Sequence, residues 1–119
     1  MRAKILNASA GSGKTYQLAY KYVRDVIDQP GLYRHILAVT FTNKATEEMK
    51  SRILKEIHRL ASGGASPYLG NLCRELSLDE RSVRKRAAEV RSKILHDYSR
   101  FTVLTIDTFF QRILRAFIK

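Results

Sequence analysis

The chain has 119 residues, which is room for one domain and not for two. Its formal net charge of +11 favours a polyanionic partner without identifying one. Hydrophobic residues make up 45% of the chain, which permits a packed core and excludes a disordered or collagen-like protein. No apolar run approaches the ~18 residues that a membrane span requires. Cys73 is the single cysteine, so an intrachain disulfide is excluded and a reducing, cytoplasmic setting is expected.

Hydrophobic patterning predicts three short strands, each followed by an amphipathic helix. The predicted strands cover residues 3–8, 35–41 and 102–106, which are apolar runs typical of buried parallel strands. The helices predicted after them cover residues 15–28, 43–61 and 108–118, because their apolar residues recur at helical spacing. Strands that alternate with helices predict an α/β fold with a parallel sheet and right-handed crossovers.

An insert of about residues 62–100 separates the second helix from the third strand. Residues 66–76 are ambiguous and are consistent with a short helix. The sequence Ser77-Leu78-Asp79-Glu80 has the form of a capping box that begins a further helix. The predicted buried face of that helix carries Val83, Ala87, Val90, Ile94 and Tyr98. Its other faces are very basic, and this charge either lines a nucleic-acid path or is simply solvated.

A phosphate-binding motif lies between the first strand and the first helix. Its residues are Ala8-Ser9-Ala10-Gly11-Ser12-Gly13-Lys14-Thr15, which match Gly-x-x-x-x-Gly-Lys-[Ser/Thr] with Ala8 in place of the first glycine. Small side chains let the backbone wrap a phosphate, and the N–H groups at a helix N-terminus attract the anion. We therefore predict nucleoside-triphosphate binding here, with Lys14 at the β- and γ-phosphates and Thr15 as a ligand of Mg²⁺.

Two further segments resemble helicase motifs, and each of them follows a predicted strand. They are Thr40-Phe41-Thr42-Asn43-Lys44-Ala45-Thr46-Glu47-Glu48-Met49 and Thr105-Ile106-Asp107-Thr108-Phe109-Phe110-Gln111-Arg112-Ile113-Leu114-Arg115. These segments are similar to motifs Ia and Ib of superfamily 1 UvrD/Rep-type helicases. The small-residue loop, the Ala45-Thr46-Glu47-Glu48 run and the long insert most resemble the RecB/AddA branch of helicase–nucleases. The resemblance covers nearly the whole chain except the insert.

This resemblance implies a P-loop NTPase (RecA-like) α/β fold, in which residues 1–119 are the N-terminal part of the first motor domain, an incomplete domain 1A with a helical insert. It implies an ATP-dependent DNA helicase with a role in DNA repair, and RecB/AddA proteins often carry an exonuclease domain downstream. The expected cofactors are ATP and Mg²⁺. The expected partners are single-stranded and duplex DNA, the rest of the helicase chain and a partner nuclease or helicase subunit, with no membrane; the expected location is the cytoplasm, at the nucleoid.

The resemblance also assigns single-stranded DNA contacts to Phe41, Thr42, Asn43 and Lys44. An aromatic ring gives the bases a stacking surface worth ~1–3 kcal/mol per base. A Thr-Asn pair at the start of a helix offers hydroxyl, amide and backbone donors to a phosphate. The alternative is that Phe41 only packs against its neighbours and Asn43 only caps the helix.

The second segment departs from the family pattern, because Asp107 and Thr108 stand where histidine and serine are usual. DNA phosphates repel a carboxylate, so we expect Asp107 to cap the last helix. Thr105 and Thr108 remain predicted DNA contacts.

Two other function classes stay open at this point. The apolar strand that ends in Asp107 has the form of a Walker B site, which predicts a compact P-loop kinase or NTPase that is complete in itself. The positive charge alone predicts a non-enzymatic DNA-binding module whose binding ignores ATP. On the helicase interpretation, the water-activating Asp-Glu motif and the arginines of a second motor domain lie outside these residues, so the isolated chain is expected not to hydrolyse ATP.

Overall fold

The computed structural model describes residues 4–7 and 12–118, and the side chains from residue 17 to residue 118. The strands are Lys4–Asn7 (β1), Ile36–Thr40 (β2) and Thr102–Thr105 (β3). The helices are Ser12–Asp28 (α1), Asn43–Ala61 (α2), Leu69–Leu76 (α3), Glu80–His96 (α4) and Ile106–Phe117 (α5). Short 3-10 turns precede β2 and β3, at Pro30–His35 and Tyr98–Arg100.

The three strands form a parallel sheet in the order β1-β2-β3. This confirms the predicted α/β arrangement of a parallel sheet with helices. Asn7 pairs with Val39, and the next residue of β2, Thr40, pairs with Thr105. The carboxyl ends of all three strands therefore lie along one edge of the sheet.

The main core lies between one face of the sheet and the helices α1, α2 and α4. Ala38 and Val103 are paired across β2 and β3 and are buried against these helices. Successive residues of a strand face opposite sides. On the other face, Leu37 and Leu104 line a cleft together with Phe109 of α5. The described part of the chain therefore has helices on both faces of its sheet.

The start of α4 differs from the prediction. The carboxylate of Asp79 accepts a hydrogen bond from the Ser82 N–H at 2.8 Å, so Asp79 is the N-cap. The hydrogen bonds from Ser82 also lower the pKa of Asp79. Ser77 instead ends α3 with a left-handed φ of 54°. The predicted capping box at Ser77 is therefore wrong.

The buried face of α4 is confirmed except at its end. Val83, Ala87, Val90 and Ile94 are buried. The helix stops at His96, so Tyr98 belongs to the following 3-10 turn and is 49% exposed.

Two arginines of α4 bind the ends of other helices. Arg84 Nη1 donates to the carbonyls of Leu60, at 3.1 Å, and Gly64, at 3.0 Å. Arg86 Nη1 donates to the carbonyl of Asp28 at 3.0 Å. The last carbonyls of a helix lack partners within it and carry partial negative charge, which suits a guanidinium. Part of the basic surface of α4 therefore braces the C-terminal ends of α1 and α2.

The hydroxyl of Tyr22 is the buried side-chain polar atom without a hydrogen-bond partner in the part of the chain that the structure describes. The residue is fully buried, and its ring packs edge-on against Phe101 with the centroids 5.6 Å apart. An unsatisfied buried hydroxyl is costly. We expect Tyr22→Phe to raise the free energy of unfolding by about 1 kcal/mol in urea denaturation.

Tyr33 provides the matched control, because its hydroxyl donates to the Asp97 carboxylate at 3.1 Å. Tyr33→Phe removes a satisfied bond and is expected to lower the free energy of unfolding by about 1 kcal/mol.

Burial and the neighbouring Tyr33 raise the pKa of Tyr22. Above pH ~10 the unfolded chain therefore loses a proton that the folded chain keeps, so stability falls with rising pH, and Tyr22→Phe removes that part of the slope. Equal changes in the free energy of unfolding for Tyr22→Phe and Tyr33→Phe would contradict the interpretation that the Tyr22 hydroxyl is unsatisfied.

Candidate functional site

The carboxyl edge of the sheet brings the three predicted functional segments to the same side of the molecule. β1 ends at Asn7, β2 ends at Thr40 and β3 ends at Thr105. Helices α1, α2 and α5 each begin within a few residues of these strand ends. In open parallel sheets, ligands bind in the crevice outside this edge. Three helix N-termini, with their partial positive charge, also favour an anion there.

The phosphate-binding motif is described in part. Ala8, Ser9, Ala10 and Gly11 lie outside the described residues. The backbone of Ser12, Gly13, Lys14 and Thr15 forms the first turn of α1, three residues earlier than the predicted helix start at residue 15. None of these four positions is acidic. A helix N-terminus of this kind, after a parallel strand, fits a phosphate group.

The segment after β2 is exposed. The ring of Phe41 is 50% exposed, so half of its surface is open to solvent. Thr42 is the N-cap of α2, because its hydroxyl oxygen accepts from the Ala45 N–H at 3.0 Å. Asn43 is the first residue of the helix and not its cap, and Lys44 is exposed beside it. All four side chains predicted to contact DNA therefore border solvent.

The segment after β3 is capped in the same way. The Thr105 hydroxyl accepts from the Thr108 N–H at 3.2 Å and donates to the Thr108 hydroxyl oxygen at 3.0 Å. The prediction that Asp107 caps α5 is wrong, because Thr105 occupies that position. Thr108 accepts through its hydroxyl oxygen and keeps its own proton for another acceptor.

The position of Asp107 also differs from that of a Walker B aspartate, which ends an apolar strand. β3 ends at Thr105, and Asp107 lies in the first turn of α5, exposed to solvent. The apolar strand therefore stops two residues before this carboxylate. Across the described ranges, no group of three or more histidine, cysteine or acidic side chains is placed to hold a metal ion.

A buried hydroxyl pair beneath this edge was not predicted. Thr40 and Thr46 are 1% and 7% exposed, and their hydroxyl oxygens lie 2.6 Å apart. The sequence signal was present, since Thr40 ends an apolar strand and Thr46 lies on the buried face of α2. Polar residues at such positions are buried only when they are hydrogen-bonded.

A family profile described as the UvrD/REP helicase N-terminal domain matches residues 2–119. The chain belongs to this family. This UvrD/REP domain is 31% identical over 119 residues to the RecB subunit of the RecBCD enzyme of Escherichia coli K12, which covers 93% of this chain and 10% of that protein. The RecB subunit of Chlamydia trachomatis is 32% identical over 112 residues, which cover 82% of this chain and 11% of that protein.

Another relative of this UvrD/REP domain is AddA, an ATP-dependent helicase/nuclease protein of Lactobacillus delbrueckii. It is 43% identical over 49 residues, which cover 41% of this chain and 4% of that protein. These relatives confirm the predicted resemblance to the RecB/AddA branch. The chain spans about a tenth of the length of the RecB proteins that it matches. No solved structure matches it significantly. Where the structure describes the chain, no helix is both long and apolar enough to cross a membrane.

Proposed function

We propose that this UvrD/REP domain is the ATP-binding and strand-contacting part of an ATP-dependent DNA helicase, of the helicase–nuclease kind that its relatives' names describe. The proposal includes a RecA-like P-loop fold, with residues 62–100 as a helical insert. It is carried by one observation: the three parallel strands end at one edge, and each is followed there by one of the three motif segments. A nucleotide and a DNA strand bound at this edge would lie on adjacent loops of one rigid sheet.

The nucleotide site consists of residues 8–15. Their backbone N–H groups bind the phosphates, Lys14 provides a positive charge at the β- and γ-phosphates, and the Thr15 hydroxyl is a ligand of Mg²⁺. Bound ATP with Mg²⁺ supplies the phosphoryl-transfer energy. The absence of acidic residues from the first turn of α1 supports this role, because a carboxylate there would repel the phosphates.

The DNA site consists of the two segments after β2 and β3. The half-exposed Phe41 ring offers a stacking surface to a base. Thr42 and Asn43 at the start of α2, and Thr108 in the first turn of α5, offer hydroxyl, amide and backbone donors to phosphate oxygens. The ammonium group of Lys44 neutralises a phosphate. Thr105 is included through its hydrogen bonds with Thr108.

The outer face of α5 has the character of a packing surface for further parts of a helicase. Phe110, Leu114 and Phe117 are 56%, 56% and 83% exposed on this helix. Contiguous exposed apolar side chains mark interaction surfaces. We propose that further parts of the helicase, including a second motor domain or a partner subunit, pack here.

Phe41→Ala tests the DNA site. The variant loses one stacking surface, for which we take the lower end of the range, ~1 kcal/mol per base. This loss is expected to weaken binding of a fluorescein-labelled oligothymidylate about fivefold in anisotropy titrations. The dependence of affinity on salt is expected to stay unchanged, because phosphate neutralisation is unaffected.

Phe117→Ala is the matched control, since Phe117 is an exposed phenylalanine at the far end of α5. We expect this variant to bind the oligonucleotide like the wild type. Equal losses in both variants, or no loss for Phe41→Ala, would argue against a strand contact at Phe41. ATP turnover by the isolated chain, lost on Lys14→Ala, would instead favour the compact kinase or NTPase.

A further inference from the structure

The end of β2 carries a buried hydroxyl that reaches both motif segments. Thr40 is the last residue of β2, is paired with Thr105 of β3, and is 1% exposed. Its hydroxyl oxygen lies 2.6 Å from the Thr46 hydroxyl oxygen in the first turns of α2. It also lies 3.2 Å from the Thr42 carbonyl oxygen and 3.4 Å from the Leu104 carbonyl oxygen. One side chain therefore contacts the backbone on both sides of the candidate DNA site.

The contacts on the α2 side hold the N-cap residue in place. The Thr42 carbonyl accepts the backbone N–H of Thr46 at 3.0 Å and the Thr46 hydroxyl at 3.1 Å. Thr40 approaches the same carbonyl from the end of the strand. Phe41 lies between Thr40 and Thr42 in the chain, so the position of its ring depends on this short, doubly anchored stretch.

The two hydroxyl groups have only two protons for four contacts. Each hydroxyl donates one hydrogen bond at a time and accepts others. When Thr46 donates to the Thr40 hydroxyl oxygen, the Thr40 proton is available for the Leu104 carbonyl, and the Thr42 carbonyl still accepts the Thr46 N–H. The pair can therefore tie the α2 side to the β3 side without leaving a buried hydroxyl unsatisfied.

We infer that Thr40 is a positioning residue that fixes the segment after β2 relative to the segment after β3, so that Phe41 and Thr108 present one surface to a DNA strand. The inference rests on the proposed function for its DNA-binding consequence, although not for its geometry. Valine has the shape and the strand preference of threonine. Packing of β2 therefore needs no hydroxyl at this position, and what the hydroxyl adds is directional bonding to the two segments.

The first arm of the test measures geometry without DNA. In Thr40→Val, ¹⁵N amide spectra are expected to shift at residues 41–46 and also at residues 105–108 on the other element. Thr40→Ser keeps the hydroxyl and is expected to restore the wild-type positions. Thr102→Val is the matched control, because Thr102 starts β3 and donates to the Arg100 carbonyl at 3.4 Å, at the opposite end of the strand. Unchanged signals at residues 105–108 in Thr40→Val would overturn the inference.

The second arm measures oligothymidylate affinity in the same chain. Thr40→Val lacks the hydroxyl that positions the two segments, and the loss of one such hydrogen bond is expected to weaken binding about 3- to 10-fold. Thr40→Ser and Thr102→Val are expected to bind like the wild type. Thr40→Val is expected to lower the thermal unfolding midpoint by a few degrees, as the loss of a buried hydrogen bond does, so all three variants stay folded at the temperature of the titration. Wild-type affinity in Thr40→Val would overturn the inference. Failure of the wild-type chain to bind DNA would overturn the proposed function instead. The amide spectra would then be the test of whether Thr40 couples the segment after β2 to the segment after β3.

Discussion

Glu56→Ala is expected to lower the free energy of unfolding by about 3 kcal/mol and the thermal midpoint by about 10 °C. Glu56 is fully buried in α2. Its carboxylate accepts from Arg59 at 3.2 Å and from the Ser66 hydroxyl at 2.9 Å, and Arg52 lies 3.8 Å away. Alanine removes these charge-assisted bonds and leaves an unfilled space. The Ser66 bond also ties the segment between α2 and α3 to α2, so the loss affects both.

A graded series separates charge from packing at this position. Glu56→Gln keeps the side-chain shape and an acceptor for Ser66, so its expected loss is about half that of alanine. Glu48→Ala is the matched control, because Glu48 is exposed on the same helix, and changes at such positions usually stay within about 0.5 kcal/mol. Urea denaturation measures the free energy of unfolding of all three variants, and its slope against urea concentration is expected to stay constant among them. A loss below about 1 kcal/mol in Glu56→Ala would mean that the ion pairs and the hydrogen bond of this buried carboxylate contribute little.

The elements themselves were predictable because their hydrophobic periods are strong. α2 has the bounds predicted from its apolar stripe, and β2 and β3 lie within one residue of their predicted limits. Parallel pairing followed from the alternation of strands and helices. The ends of α4 were harder to predict, because serine and aspartate have similar preferences for the N-cap. The left-handed φ of Ser77, which makes it the C-cap of α3 and not the N-cap of α4, is a property of the folded backbone.

The charges of α4 show where sequence reasoning stops. A basic helix surface looks the same in sequence whether it faces DNA, water or another helix. Arg84 and Arg86 bind carbonyls that lie between 20 and 59 positions earlier in the chain, a relation that no local pattern contains. Arg81, Lys85 and Lys93 remain exposed on the same helix. These three side chains, and not the two bracing arginines, are the ones to mutate in a search for further DNA contacts.

The site was predicted by motif and refined by hydrogen bonding. The sequence placed Phe41 at the end of the second strand and Thr42 and Lys44 after it, and the structure shows all three exposed. It predicted Asp107 and not Thr105 as the cap of α5, although both residue types accept from a helix N-terminus. The Thr40–Thr46 pair depends on a contact between a strand end and the buried face of a helix, which requires the packed structure.

Lys14→Ala is expected to weaken binding of a Mg²⁺–ATP analogue by about 10- to 100-fold, which corresponds to one charge-assisted contact of ~1.5–3 kcal/mol. The backbone of Lys14 lies in the first turn of α1, where no acidic residue is present. A lysine in the first turn is unfavourable for the helix itself, because the N-terminus already carries partial positive charge. The position therefore suits a phosphate and does not favour the unliganded helix.

Two measurements together distinguish binding from folding at this lysine. Without nucleotide, Lys14→Ala is expected to unfold at or slightly above the wild-type temperature, because it removes a repulsion from the helix N-terminus. With nucleotide at about 100 times its dissociation constant, the wild type gains about 2.7 kcal/mol of stability and the variant gains much less. Lys21→Ala is the control, since Lys21 is an exposed lysine further along the same helix. Equal nucleotide stabilisation of all three proteins would place the triphosphate somewhere other than the first turn of α1.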